Sequence, residues 1–262
     1  KTESFSILFK QTLYNITMKK YLFLALFAVS LAGCQQKHPE IISQDFVPVT
    51  GANISDSSMI KLIEPYKIQM DSDMNIIIGT SAQPMSKALP EGLLNTFVAN
   101  AMLSYGNQLK PTDIAITNLG GLRNDIQEGP ITIGDVMQVM PFDNALVFLE
   151  LSGEDVEELC DAIAKKGGDV VAGISMKIEG DNAENILIQG QPIDDNKNYR
   201  IITTDYLSFG NDHLDPLAKF KTIEPLNVLL RDVLIQNIKD ETAAGRPIQP
   251  TLKNEIYFYQ FV

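Results

Sequence analysis

Residues Ala115 to Gln127 read AITNLGGLRNDIQ. A short apolar run ends in Thr117-Asn118, two glycines follow, and a lone arginine stands at position 123. A strand that stops this way can be a plain tight turn carrying a surface arginine. It can also be backbone that must approach a ligand. Glycine, lacking Cβ, permits both positive φ and close approach. Arginine offers a planar fork of donors suited to carboxylate, phosphate or hydroxyl pairs. The second reading makes Asn118 and Arg123 the groups that reach for the ligand.

Working outward, the patterning predicts mixed elements without a strict βαβ rhythm. Met59, Leu62, Ile63 and Tyr66 suggest a helix interrupted near Pro65. NIIIGT, from Asn75 to Thr80, reads as a strand. Leu93 to Tyr105 carries Leu94, Phe97, Val98, Ala101 and Tyr105 on one helical face. TIGDVMQVM predicts a short capped helix that stops at Pro141. ALVFLEL is a strand, and Ser152-Gly153 lead into a helix with Val156, Leu159, Cys160 and Ile163 on one side. GISMKIEG and NILIQG form a hairpin around GDNAEN. Tyr199 to Thr204 is a strand, Pro225 to Lys239 a helix with Pro225 at its first position, and NEIYFYQF a closing strand. These elements predict one α+β domain with a mixed sheet, spanning 58–262.

The chain has 262 residues, 45% hydrophobic and 21% charged, with a formal net charge of -12. Such an acidic chain without basic clusters is a poor non-specific nucleic-acid binder, which must neutralise phosphates. One or two placed arginines can still hold a small anion.

The amino-terminal region reads as targeting sequence. Met18-Lys19-Lys20 precede YLFLALFAVSLAGC, a basic start and an apolar run short for a bilayer span. Leu31-Ala32-Gly33-Cys34 resembles the bacterial lipobox, in which the cysteine is lipidated. The reading is a signal peptide over 18–34 with lipidation at Cys34, preceded by an extension (1–17) that is no part of the native protein. A polar tether over 35–57 follows. For a Gram-negative source, Gln35 after the lipidated cysteine points to the outer membrane facing the periplasm, with surface display as an alternative. Membrane contact is then through the anchor alone. Cys160 remains as an unpaired core thiol.

Three loops carry the candidate chemistry. NLGGLR supplies Asn118 and Arg123. MPFDNAL supplies Phe142 and Asn144 before a strand. TTDYLSFGNDHL supplies Tyr206 and Asp212 around Gly210. Two aromatics on separate loops, each followed by a polar group, suit a flat heteroaromatic ligand: rings stack on its faces and polar groups read its edge. Each loop alone also fits ordinary turn or core packing.

The three together, in this order, resemble the carboxy-terminal domain of the 5'-nucleotidase family. That family shows an N-x-G-G-x-R turn, a G-x-I-T segment, P-F-x-N before a strand, and later an aromatic-Leu pair and G-G-D-G. The resemblance runs from about Ser58 to Val262. It implies a nucleoside or nucleotide ligand, with the base sandwiched between Phe142 and Tyr206. Asn118 and Arg123 then fall on ribose or phosphate contacts, Asn144 and Gly173 near the base, and Asp212 on the ribose hydroxyls.

Some positions depart from that pattern. Leu119 and Asp143 stand at glycine positions, and Asp143 is expected to put negative charge near the base. GNDH replaces G-G-D-G, adding the bulk of His213. An upstream arginine is missing, leaving Lys87 as the nearest cation. Weaker phosphate binding and a nucleoside preference are the expectation.

The family's chemistry belongs to a separate metallophosphoesterase domain with two divalent metals that activate water for in-line attack. With only His38 and His213, this chain is expected to hold no metal or cofactor and to have no catalytic residues of its own. The 58–79 region resembles the linker where the family's domains join. Two functional classes follow: a subunit of a split 5'-nucleotidase that docks a separate metallophosphatase chain, or a stand-alone nucleoside-binding lipoprotein. A scaffold that has lost the pocket is a third reading.

Overall fold

In the structure, a computed structural model, residues 56–258 are described. The signal peptide, Cys34, the tether up to Ser55 and the last four residues lie outside them. Residues 56–258 form one compact unit.

The strand that feeds the glycine turn, β2 (Ile114–Thr117), is buried along its whole length. Ile114 and Ile116 pack into one core with Val147, Leu149 and Ile201, while Ala115 packs into another with Leu146, Phe148 and Ile202. Alternate side chains of a strand point to opposite faces, so a strand apolar on both faces needs cover on both sides.

The sheet around it has the order β10-β4-β9-β2-β5. Its other strands are β4 (Ala145–Ser152), β5 (Val170–Ala172), β9 (Asn198–Thr204) and β10 (Thr222–Leu229). β2 runs parallel to β9 and antiparallel to β5, and β4 is antiparallel to both β9 and β10. This is the mixed sheet of an α+β domain.

One face is covered by α2 (Leu93–Leu109) and α6 (Leu230–Ala243), through Leu94, Val98, Met102, Leu230, Leu234 and Ile238. The other is covered by α4 (Gly153–Lys165) and a four-stranded sheet. That sheet joins β6 (Ile174–Glu179), β7 (Asn182–Ile188), β8 (Gln191–Pro192) and β11 (Ile256–Phe258) in the order β11-β6-β7-β8. Ser152 caps α4 by accepting the Asp155 N–H, and Val156, Leu159, Cys160 and Ile163 form its buried stripe. That spacing of three and four is why α4 forms as a helix with one wet side. Each buried Leu or Ile contributes about 1.5–3 kcal/mol. A smaller ribbon pairs β1 (Ile77–Ser81) with β3 (Gly129–Thr132), and α3 (Ile133–Val139) follows with a Thr132–Asp135 capping box.

Three expectations change. The first helix among the described residues, α1, runs unbroken from Ser57 to Met74 through Pro65, and it buries none of its residues. Exposed on all sides around Pro65, it can take the lost hydrogen bond without straining a packed neighbour. The helix expected at Pro225 begins at Leu230, because Thr222–Leu229 pairs with β4, Pro225 standing opposite Val147. β10 is an edge strand, where a proline's missing donor is tolerated. The hairpin turn is also tighter than GDNAEN: Glu179 pairs Asn182, and Gly180 turns with φ +62°.

Candidate functional site

β2 and β9 are parallel neighbours, so their carboxyl ends open at the same edge of the sheet. Asn118 follows β2, and Tyr206 lies in the short helix α5 (Asp205–Ser208) directly after β9. β4 starts at that edge too, bringing in the turn with Phe142 and Asn144. A cavity of about 280 Å³ results, lined by Asn118, Gly120, Gly121, Arg123, Phe142, Asn144 and Tyr206. Phe142 and Tyr206 stay 42% and 45% exposed, as rings waiting at a rim would be rather than rings filling a core.

Backbone ties fix the walls. Asp205 Oδ1 accepts the N–H groups of Tyr206 and Ala145, at 2.7 and 3.2 Å, which links the two aromatic loops. The Asn144 carbonyl accepts the Leu230 N–H at 2.9 Å, and the Arg123 N–H donates to the Val139 carbonyl at 2.8 Å.

The glycines act differently from the simplest expectation. Leu119–Gly121 is a single 3-10 turn, and neither Gly120 nor Gly121 has positive φ. What they give is room. Both line the cavity, and a Cβ on Gly121 would stand 3.0 Å from Asn118 Oδ1. The turn needs glycine for close approach, not for handedness.

Five of the sequence-derived residues meet here: Asn118, Arg123, Phe142, Asn144 and Tyr206. Gly173 does not. Ala172 pairs with Ala115 at the start of β2, and Gly173 packs on the Asp113 carbonyl. That is the opposite end of the strand from Asn118, roughly 15 Å away at about 3.3 Å per residue. The register of β5 decided this, and no local signal in the sequence gives it. Asp212 is not in the lining of the cavity either; its Oδ2 is held 2.9 Å from Lys166 Nζ.

The sequence reading missed Lys166 and Asp169. Asp169 has a fully buried side chain 2.5 Å from Lys166 Nζ, and its Oδ1 accepts the Leu119 N–H at 2.7 Å. Burial pushes the Asp169 carboxyl up, against the opposing pull of Lys166 and two backbone N–H groups. Burial also works to lower Lys166, but its two carboxylates outweigh it and hold the ammonium charged. The signal was present as a lysine and an aspartate flanking Gly167-Gly168, but only the fold brings it to the Leu119 turn.

Asp143 is also placed otherwise than expected. Its carboxylate is paired with Arg231 at 2.5 Å, which neutralises charge near the Phe142 ring. Lys87 donates to the Leu122 carbonyl at 2.5 Å, beside the Arg123 turn. A larger groove of about 590 Å³ lies between α2 and α6, where Arg246 and Glu241 satisfy each other. Its lining holds one ring, Phe97, which is buried in the core rather than exposed at a rim.

Residues 77–219, which include every residue of the aromatic cavity, match the family described as 5'-nucleotidase, C-terminal domain. The chain belongs to the 5'-nucleotidase C-terminal domain family. Residues 18–35 match a prokaryotic membrane lipoprotein lipid attachment site, so this family member carries a lipid-anchoring signal. It is 33% identical over 166 residues to Protein UshA of Yersinia enterocolitica, covering 60% of this chain and 30% of that one. It is 30% identical over 197 residues to the NAD 5'-nucleotidase of Haemophilus influenzae, covering 63% and 32%. The chain thus spans about a third of the length of these relatives. Among solved structures, a 5'-nucleotidase precursor from Thermus thermophilus shares the fold, with TM-score 0.64, 19% identity, and coverage of 78% of this chain and 43% of that one. The NAD nucleotidase of Haemophilus influenzae superposes with TM-score 0.60 at 25% identity, covering 79% and 42%.

Proposed function

We propose that this domain is the nucleoside- or nucleotide-binding subunit of a split 5'-nucleotidase. The observation that carries the reading is the cavity lined by Phe142 and Tyr206, both exposed, together with Asn118, Asn144 and Arg123. A base stacked between two rings gains apolar contact on both faces, and amides beside them can pair with its edge. Arg123 supplies charge for a phosphate or ribose. Asp212 offers an acceptor to the ribose hydroxyls.

The hydrolytic step belongs, in this reading, to a separate metallophosphatase chain with two divalent metals. Among the described residues no group of three or more His, Cys, Asp or Glu side chains is arranged to hold a metal ion. The described residues thus do not fit a dimetal centre, and no step of the reaction is assigned to them. Exposed apolar side chains on α1, among them Met59, Leu62, Ile63 and Tyr66, favour a docking partner over a stand-alone binder. In this reading the lipid anchor holds the assembly to the membrane, in a Gram-negative source the outer membrane facing the periplasm or displayed at the surface, and its role is nucleotide catabolism.

Calorimetric titration with adenosine and AMP tests this, on the wild type and on Phe142→Ala and Tyr206→Ala. Binding by the wild type that is lost in both variants supports the aromatic clamp. Wild-type binding that survives both substitutions overturns it. A pull-down for a metallophosphatase chain then tests the split.

A further inference from the structure

Lys166 sits just beyond α4, ahead of the Gly167-Gly168 turn. Its ammonium joins two carboxylates from distant parts of the chain, Asp169 at 2.5 Å and Asp212 at 2.9 Å. Asp169 carries the link inward, since its Oδ1 accepts the Leu119 N–H at 2.7 Å. Leu119 begins the glycine turn that floors the cavity. Asp212 carries the link outward. Its neighbour Asn211 donates from Nδ2 to the Tyr206 carbonyl at 2.7 Å, so the Asp212 loop is tied to the aromatic wall. A continuous polar chain therefore runs from the cavity floor through Asp169, Lys166 and the Asp212 loop to Tyr206.

Two features make Lys166 the controlling member. Asp169 has no exposed side-chain surface, so its charge depends on Lys166 and its N–H donors. Asp212 is held in left-handed backbone, φ +59°, and Lys166 is the partner its carboxylate has among the described residues. Lys166 takes Asp212 Oδ2, and Oδ1 accepts no hydrogen bond among the described residues.

We propose that Lys166 is a positioning residue of the ligand site: it sets the Asp212 carboxylate for a ribose hydroxyl and locks the Tyr206 loop to the cavity floor. This rests on the nucleoside reading above. The lysine touches no ligand itself, so its effect must appear through the sugar.

The test compares adenosine with 2',3'-dideoxyadenosine, by calorimetry, on the full chain, Lys166→Met and Lys166→Arg. Lys166→Met is expected to weaken adenosine about tenfold and the dideoxy ligand less than about threefold, with Lys166→Arg recovering most of the loss. Equal weakening of both ligands, or none, overturns the proposal. If Lys166→Met does not fold, Lys166→Met combined with Asp169→Asn removes both buried charges and leaves an amide oxygen for Leu119, and the same pattern is expected. Hydrogen exchange without ligand is the second readout. Residues 118–123 and 205–215 should exchange faster in the variant while 156–164 do not change; unchanged exchange in the two loops overturns the tie. A wild type that binds neither nucleoside removes both the nucleoside reading and the sugar role, whereas a failure confined to the variants' pattern removes the Lys166 role alone.

Discussion

Arg231 Nη2 lies 2.5 Å from Asp143 Oδ1, and Arg231 Nη1 donates to the Phe142 carbonyl at 3.4 Å. One side chain at the start of α6 thus neutralises Asp143 and steadies the turn that presents the Phe142 ring. Asp143 is 78% exposed, so the pair adds little to stability, within about 0–1 kcal/mol. Its effect belongs to binding. Arg231→Ala should weaken adenosine about fivefold, the equivalent of one lost hydrogen bond near 1 kcal/mol, with an almost unchanged Tm. Calorimetry beside thermal denaturation separates the two; unchanged affinity would mean that the backbone bonds of the turn suffice.

Arg123 is the cation in the cavity lining, and its own bond is a long one, Nη1 to the Gly120 carbonyl at 3.4 Å. A phosphate could take this fork without displacing an ion pair. Adenosine and AMP are expected to bind with similar affinity, AMP favoured by no more than about tenfold. Arg123→Ala should erase that advantage and leave adenosine within about twofold. A large AMP preference that survives the substitution would move phosphate recognition to another group, with Lys87 the first to examine.

His213 adopts φ +60° directly after Asp212 at φ +59°. Left-handed backbone costs an L-residue about 1–2 kcal/mol, partly offset in glycine by its greater chain entropy when unfolded. His213→Gly should therefore stabilise the fold by about 0.5–1 kcal/mol, a rise in Tm of a few degrees. Denaturation of the two proteins side by side checks it. A fall would show that the imidazole makes contacts worth more than the strain.

The Cys160 thiol is fully buried, and burial, with Asp161 and Glu157 nearby, pushes its pKa from 9.0 to about 12. The folded state disfavours the thiolate while the unfolded chain ionises freely. Stability should thus be flat in this group below pH 9 and fall as pH rises from 9.0 toward about 12. In a chain with Cys34→Ser, a disulfide reagent at pH 8 should label nothing until denaturant is added. Rapid labelling of the native protein would contradict the burial. Cys160→Ser should remove the alkaline loss arising from this thiol.

Much of this protein is legible in its sequence. The 3-4 spacing of Val156, Leu159, Cys160 and Ile163 forces an amphipathic helix, and the unbroken apolar run through Ile114 and Ile116 forces a strand buried on both faces. These are local periodicities, set within a few residues by side-chain geometry. The aromatic, amide and arginine members of the cavity were legible too, because each stands in a short motif at a strand end. What the sequence alone could not determine depends on long-range pairing. Thr222–Leu229 became a strand because β4 offered an open edge, overriding the helical spacing of Leu226, Leu229 and Leu230. The register of β5 on β2 removed Gly173 from the site and placed Asp169 beside Leu119. Lys166 gained its role only when Asp212, 46 residues away, was brought within 2.9 Å. The sequence determined which segments form elements and which carry chemistry. The tertiary structure decided which of them meet, because strand register and the pairing of buried charge are properties of the assembled sheet.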